Sequence, residues 1–239
     1  MFKLIQLQEP TVLFGHDQAV EDPRDGLTLF GPLDEVSKPH GIRYAAIGTE
    51  EGIRYFQEWV KKIQGPISNS PPDIARPPFP GFEAVFGIPF LPEPSLRIEI
   101  EKQEINRAVH IDDRHQRVYK TVEIFSDRIL QATREEDEHI DIWFVVIPDK
   151  VYELCRPQSY VQPTLRIKAK KRMSSKYGKR LRKEPSLFHE ENVAAAPYQY
   201  EVNFHNQLKA RLLSQKIPIQ IIKESTVAHH KFTDKSGKP

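Results

Sequence analysis

Six consecutive apolar residues, Ile142 to Ile147, closed by Pro148, constrain the fold of this chain most. The run is too short for a stable buried helix, and it does not alternate as a half-exposed strand does. An unbroken apolar strand must be covered on both faces, which is the situation of a central strand in a parallel sheet. Three further runs fit beside it: "IRYAAIG" at 42–48, "LRIEI" at 96–100 and "PIQII" at 218–222. Helical periodicity separates them. In "TEEGIRYFQEWVKKIQ", Thr49 can cap, Glu50 and Glu51 suit the positive end of the helix dipole, and Ile53, Phe56, Trp59, Val60 and Ile63 recur on one face. In "HQRVYKTVEIFSDRILQATREED", Val118, Val122, Phe125 and Ile129 do the same, and "DKVYELC" makes a short helix behind the central strand. Strands alternating with helices predict an α/β fold, a Rossmann-like open, mostly parallel sheet with helices on both faces. Such sheets bind ligands at the carboxyl ends of their strands.

Residues 1–40 read as an N-terminal extension. "EPTVLFG" and "LTLFGPL" are taken as short strands separated by the turn-rich "HDQAVEDPRDG". Residues 64–95 are too rich in proline for a long helix and predict an ordered crossing loop anchored by Phe79, Phe82 and Phe86. The core domain is expected over 41–227, with a basic loop or insertion at 156–185 and a tail at 228–239.

With 239 residues, 38% of them apolar and 28% charged, the chain can bury a sizeable core. No run approaches the roughly 18 to 20 apolar residues of a membrane span, and "MFKLIQLQEP" lacks a signal-peptide pattern. The expectation is a cytoplasmic protein with no membrane partner. Cys155 is the sole cysteine, which excludes an intrachain disulfide and a cysteine-rich zinc site, and its place on the apolar face of "DKVYELC" suits a structural thiol. The net charge of +2 conceals an asymmetry: Leu154 to Lys183 holds eleven Lys or Arg and no acid, so the remainder is acidic. Such a block points to a polyanionic partner, with a solvated flexible insertion as the plainer alternative. Lys170, Lys171, Arg172, Lys179 and Arg180 are its candidates for nucleic-acid backbone contacts.

"GTEEG" after the first strand is no phosphate loop, because two carboxylates stand where an anion would sit. "HIDDRH" (His110, Asp112, Asp113, His115) is better read as a helix start capped by Asp112 or Asp113 than as metal ligands, and His229, His230 and Asp234 lie in a polar tail. No nucleophile motif supports an enzyme acting on a small ligand. "FHNQLKARLLSQKIPIQII" offers a different chemistry. His205 and Lys209 are one turn apart on a helix beside the stripe Phe204, Leu208 and Leu212, and Gln220 lies in the next strand. An imidazole, an ammonium and a carboxamide are suitable donors for a terminal phosphate, although a solvated helix face produces the same spacing.

Several stretches in order, "EPTVLFG", "EDPRDGLTLFGPLD", "IRYAAIGTEEGI", "FPGFEAVFG", "WFVVIPDKVYELCRP", "FHNQLKARLL" and "PIQIIKESTV", span nearly the whole chain. In them the sequence resembles the MID half of a short prokaryotic Argonaute, the kind made only of MID and PIWI domains. The resemblance implies that His205, Lys209 and Gln220 grip the 5′-phosphate of a guide strand, RNA or DNA, with a divalent ion such as Mg²⁺ often accompanying the phosphate. It further implies a non-catalytic role in guide-directed antiviral defence, sensing invading DNA by pairing with a complementary target strand. The implied protein partner is an APAZ-containing effector with a TIR or sirtuin-like domain. In that family an Asn and a Lys from a PIWI helix complete the pocket, whereas this sequence reaches "KFTDKSGKP" before any such helix. The expectation is therefore a fragment, half of a split protein, or a site completed by another chain, binding a guide end more weakly and unable to cleave by the family's mechanism. The alternative is an interaction scaffold that docks the effector through the N-terminal strands and the proline-rich crossing without binding a guide.

Overall fold

The structure, a computed structural model, describes residues 9–34, 38, 40–68, 77–136, 139–165 and 173–228. In chain order the elements are β1 (Val12–Phe14), β2 (Gln18–Val20), α1 (Pro23–Phe30), β3 (Tyr44–Gly48), α2 (Glu50–Ile63), α3 (Phe82–Phe86), β4 (Leu96–Glu99) and α4 (Lys102–Val109). They continue as α5 (Arg114–Glu135), β5 (Ile142–Ile147), α6 (Asp149–Leu154), α7 (Ser175–Lys183), α8 (His189–Ala195), α9 (Phe204–Leu213), β6 (Ile219–Lys223) and α10 (Glu224–Ala228). The chain divides into two compact units, 1–42 with 58–93, and 43–57 with 94–239. No helix among the described residues is long and apolar enough to cross a membrane.

In the first unit β1 and β2 pair as an antiparallel hairpin. The stretch read as a second strand, "LTLF", is instead the end of α1. Asp22 accepts a hydrogen bond from the Arg24 amide at 2.9 Å and Pro23 occupies the first helical position, so a capped helix wins over local strand propensity. The second strand of the hairpin falls inside the segment read as a turn. The proline-rich crossing carries α3, and its rings do cluster: Phe82 lies 4.5 Å from Phe86 and 5.1 Å from Phe90 between centroids, while Phe79 bridges to Ile67.

The second unit holds the four-stranded sheet, ordered β4-β3-β5-β6 and parallel throughout. Its two faces follow from the register. Ala45, Trp143 and Ile219 are neighbours across the strands, and with Ile47, Val145, Ile147 and Ile221 they pack against Val118, Val122, Phe125 and Ile129 of α5 and Phe204, Leu208 and Leu212 of α9. On the other face Tyr44 and Phe144 meet Phe56 of α2 at 5.8 and 4.6 Å. Each buried Leu, Ile or Phe stabilises by roughly 1.5–3 kcal/mol, so this double covering, rather than helix propensity, holds the sheet together. The strand order reverses between β3 and β5.

Local signals set the helix starts. Thr49 caps α2, its Oγ1 accepting from the Gly52 amide at 3.0 Å. Asp113 caps α5, accepting from the amides of His115 and Gln116. The C-terminal part of the basic block is α7, capped by Ser174, where a loop was expected from composition.

Candidate functional site

At the carboxyl ends of β5 and β6 a cleft of about 460 Å³ opens between α6 and the start of α9. Its size falls in the roughly 300–1,000 Å³ range of small-ligand sites. Ile147 and Ile221 floor it, Tyr152, Cys155 and Arg156 form one wall, Asn203 to Asn206 the opposite wall, and Lys223 and Tyr160 the rim.

The α9 wall is fixed by its own sequence. Asn203 accepts from the Asn206 amide at 3.2 Å, and the Phe204 amide donates to the Cys155 carbonyl at 2.8 Å, tying the first turn to the end of α6. Buried Phe204 meets Phe125 edge to face at 5.5 Å. The His205 amide has no acceptor among the described residues, so it remains available at the positive end of a ten-residue helix. Lys216, in the left-handed conformation (φ 60°), and Pro218 then turn the chain into β6.

The opposite wall supplies cations. The Arg156 guanidinium sits 4.7 Å from the centroid of Tyr152, and Lys223 Nζ lies 4.8 Å from the same ring. Arg156 Nε is buried and has no hydrogen-bond partner among the described residues. A buried, unsatisfied guanidinium nitrogen is costly unless an acceptor reaches it, and here it borders a cleft. Lys223 also lies 3.7 Å from Asp149, an exposed pair worth about 0–1 kcal/mol that a stronger anion can displace.

Of the three residues expected to converge, the structure brings two together. His205 lines the cleft, and Lys209, one turn along α9, is close enough to act on it electrostatically. Solvent reaches the imidazole, yet partial desolvation and then the Lys209 ammonium hold its pKa below the ordinary histidine value. Gln220 does not join them. It pairs in register with Phe144, so it faces the α2 side of the sheet, whereas α9 lies on the side of Ile219 and Ile221. It is exposed there, its Nε2 3.4 Å from the Ile221 carbonyl. A side chain in a strand cannot return to the other face without a register slip.

The remaining candidates are placed as follows. Lys179 and Arg180 are exposed on α7, away from the cleft, with Arg180 stacked 4.9 Å from Tyr177; Lys170, Lys171 and Arg172 lie outside the described residues, as do His229, His230 and Asp234. Cys155 is buried and donates to Thr121, and burial pushes its thiol up to about 12, which leaves it without nucleophilic character near neutrality. In "HIDDRH", the Asp113 carboxylate is consumed by the α5 cap and by the hydroxyl of Tyr198, while His115 Nε2 lies 3.1 Å from Ser175 Oγ. No sequence motif marks Arg156, Lys223 or Tyr152. Their signal is positional: Tyr152 and Arg156 are spaced i, i+4 behind the central strand, and Lys223 ends β6.

No protein-family model matches the chain, and comparison with curated proteins finds no match.

Proposed function

We propose that the chain is a non-catalytic nucleic-acid-binding module that seats the 5′-phosphorylated end of a strand in the β5–β6 cleft. The buried, unbonded Nε of Arg156, a residue that lines the cleft together with His205 and Lys223, carries this proposal. A phosphate between these groups receives charge-assisted hydrogen bonds from one wall and the helix dipole from the other. His205 adds a ring donor once the anion raises its pKa, and Lys209 contributes from one turn away. Gln220 has no part in this arrangement. The likeness to short Argonautes makes the strand a guide, RNA or DNA, that pairs with an invading target, and makes an APAZ-containing TIR or sirtuin-like protein the effector. None of the described lining residues is a carboxylate, so a Mg²⁺ accompanying the phosphate would draw its ligands from the phosphate, water and neutral groups such as the Asn203 and Asn206 carbonyls.

A 5′-phosphorylated oligonucleotide is expected to bind more tightly than its 5′-hydroxyl twin in fluorescence anisotropy, and Arg156→Ala with His205→Ala to erase the difference. Equal binding of the two by the unaltered protein would refute the proposal. The scaffold alternative draws on the first unit, where Leu13 and Leu29 are 54% and 58% exposed. Co-purified effector that stays bound when the cleft residues are replaced, in protein indifferent to the 5′ group, would favour it.

A further inference from the structure

Helix α9 has a second flank. Opposite the side that carries His205, residues Gln207, Ala210, Arg211 and Ser214 border a groove of about 300 Å³, closed by Tyr119 of α5, Arg182 of α7 and Tyr200. This groove shares no wall residue with the β5–β6 cleft. Its side chains form one continuous stack. The Arg211 guanidinium lies 5.6 Å from the Tyr119 centroid, Tyr119 and Tyr200 are 5.9 Å apart with planes inclined by 29°, and the Arg182 guanidinium lies 5.4 Å from Tyr200.

The two ends of the stack differ. Arg211 is anchored, donating to Ser126 Oγ at 2.7 Å and lying 3.6 Å from Asp127. The nearby Glu123 is likewise answered by Lys120 at 2.7 Å. Arg182 is exposed and has no acidic partner among the described residues. Its position is nevertheless set by backbone packing. A Cβ on Gly178 would come within 2.6 Å of Tyr198 Cβ and 2.9 Å of the Tyr198 carbonyl carbon, so α7 rests directly on the turn that leads to Tyr200. The result is a fixed aromatic pair capped by an available guanidinium, on a helix that also carries Lys176, Lys179, Arg180 and Lys183.

We infer that this groove is a second binding site, for an internal nucleotide of a single-stranded nucleic acid. The guanidinium plane of Arg182 presents its face to a base, which extends the stack, and its N–H edge to a backbone phosphate. Stacking is indifferent to base identity and needs no terminal phosphate, so the site goes beyond end recognition and takes strands of any sequence. An acidic peptide could satisfy Arg182 alone, but it would leave the paired rings unused.

The test uses the full chain and a 5′-hydroxyl thymidine oligonucleotide substituted with 5-iodouracil. Irradiation is expected to crosslink Tyr200, the ring next to Arg182. Arg182→Ala and Tyr200→Ala should each weaken binding about tenfold, Tyr200→Phe should retain it, and polyglutamate should not compete. Because Arg182 is exposed, its replacement leaves the core intact. Unchanged affinity in Arg182→Ala, crosslinks confined to other surfaces, or displacement by polyglutamate would overturn the inference. Preference for a 5′-phosphate is read separately and should persist in Arg182→Ala, so either proposal can fail without the other.

Discussion

Two crevices lie along the carboxyl edge of the same sheet, and they are chemically opposite. Between β3 and β5, where the strand order reverses and open α/β sheets usually bind ligands, the space is filled. Thr49 donates to Glu224, Ser225 donates to Asp149, and a Cβ on Gly52 would meet the Glu224 carboxylate at 2.7 Å. Between β5 and β6 the space is open and lined by Arg156, Lys223, His205 and the first turn of α9. Strand topology alone therefore does not choose a site; the side chains at the strand ends do. Carboxylates at the first crevice disfavour an anion, whereas the residues lining the second include the cations Arg156 and Lys223, with the Arg156 Nε unpartnered among the described residues.

The largest effect should come from breaking the wall of the open cleft. Phe204→Ala removes a ring buried against Phe125 and should cost about 3–5 kcal/mol in chemical denaturation, with loss of 5′-phosphate preference in whatever folds. Next, Arg156→Ala should leave the melting temperature near that of the unaltered chain while weakening a 5′-phosphorylated strand about 10- to 100-fold, the range of a charged hydrogen bond. The contrast in stability and binding between these two variants separates the scaffold of the cleft from its chemistry.

Smaller effects distinguish the filled crevice. Burial raises the pKa of Glu224 above the ordinary carboxylate value, outweighing the opposing bond from Thr49. The folded state then holds this proton more tightly than the unfolded chain does, so stability falls as pH rises from the ordinary carboxylate pKa through the raised one. Glu224→Gln should remove that loss, its advantage over the unaltered chain growing from acid to neutral pH in parallel melts. The smallest expected effect belongs to His205. Its pKa is depressed in the free protein and should rise beside a bound phosphate, so binding takes up a proton and tightens as pH falls from neutrality, by less than about tenfold per pH unit. His205→Ala should flatten that slope in titrations kept above the second phosphate pKa of about 6.

Much of the fold is legible in hydrophobic period, and particular failures show where period stops. The apolar run of β5 and the stripes of α2, α5 and α9 are local patterns, and each appears where the sequence places it. α1 was hidden because Leu27 to Phe30 has strand-like composition, while its decisive signal, Asp22 followed by Pro23, precedes it. α7 was hidden inside a charge run, although Ser174 caps it. At the site, the proximity of His205 and Lys209 follows from helical spacing. Gln220 could not be placed in the same way, because the face it occupies depends on register with β5, a long-range property. In sequence Arg156 is one more member of the basic block; only packing behind β5 leaves its Nε buried without a partner among the described residues and places the residue at the cleft.

Backbone and guanidinium ¹H–¹⁵N correlation spectra, recorded while a 5′-phosphorylated dinucleotide is titrated in, test the account most directly. Saturable shifts of the His205 amide and Arg156 Nε, absent with the 5′-hydroxyl dinucleotide, are the predicted result. Shifts confined to the lysines and arginines of α7, or identical for both dinucleotides, would contradict it.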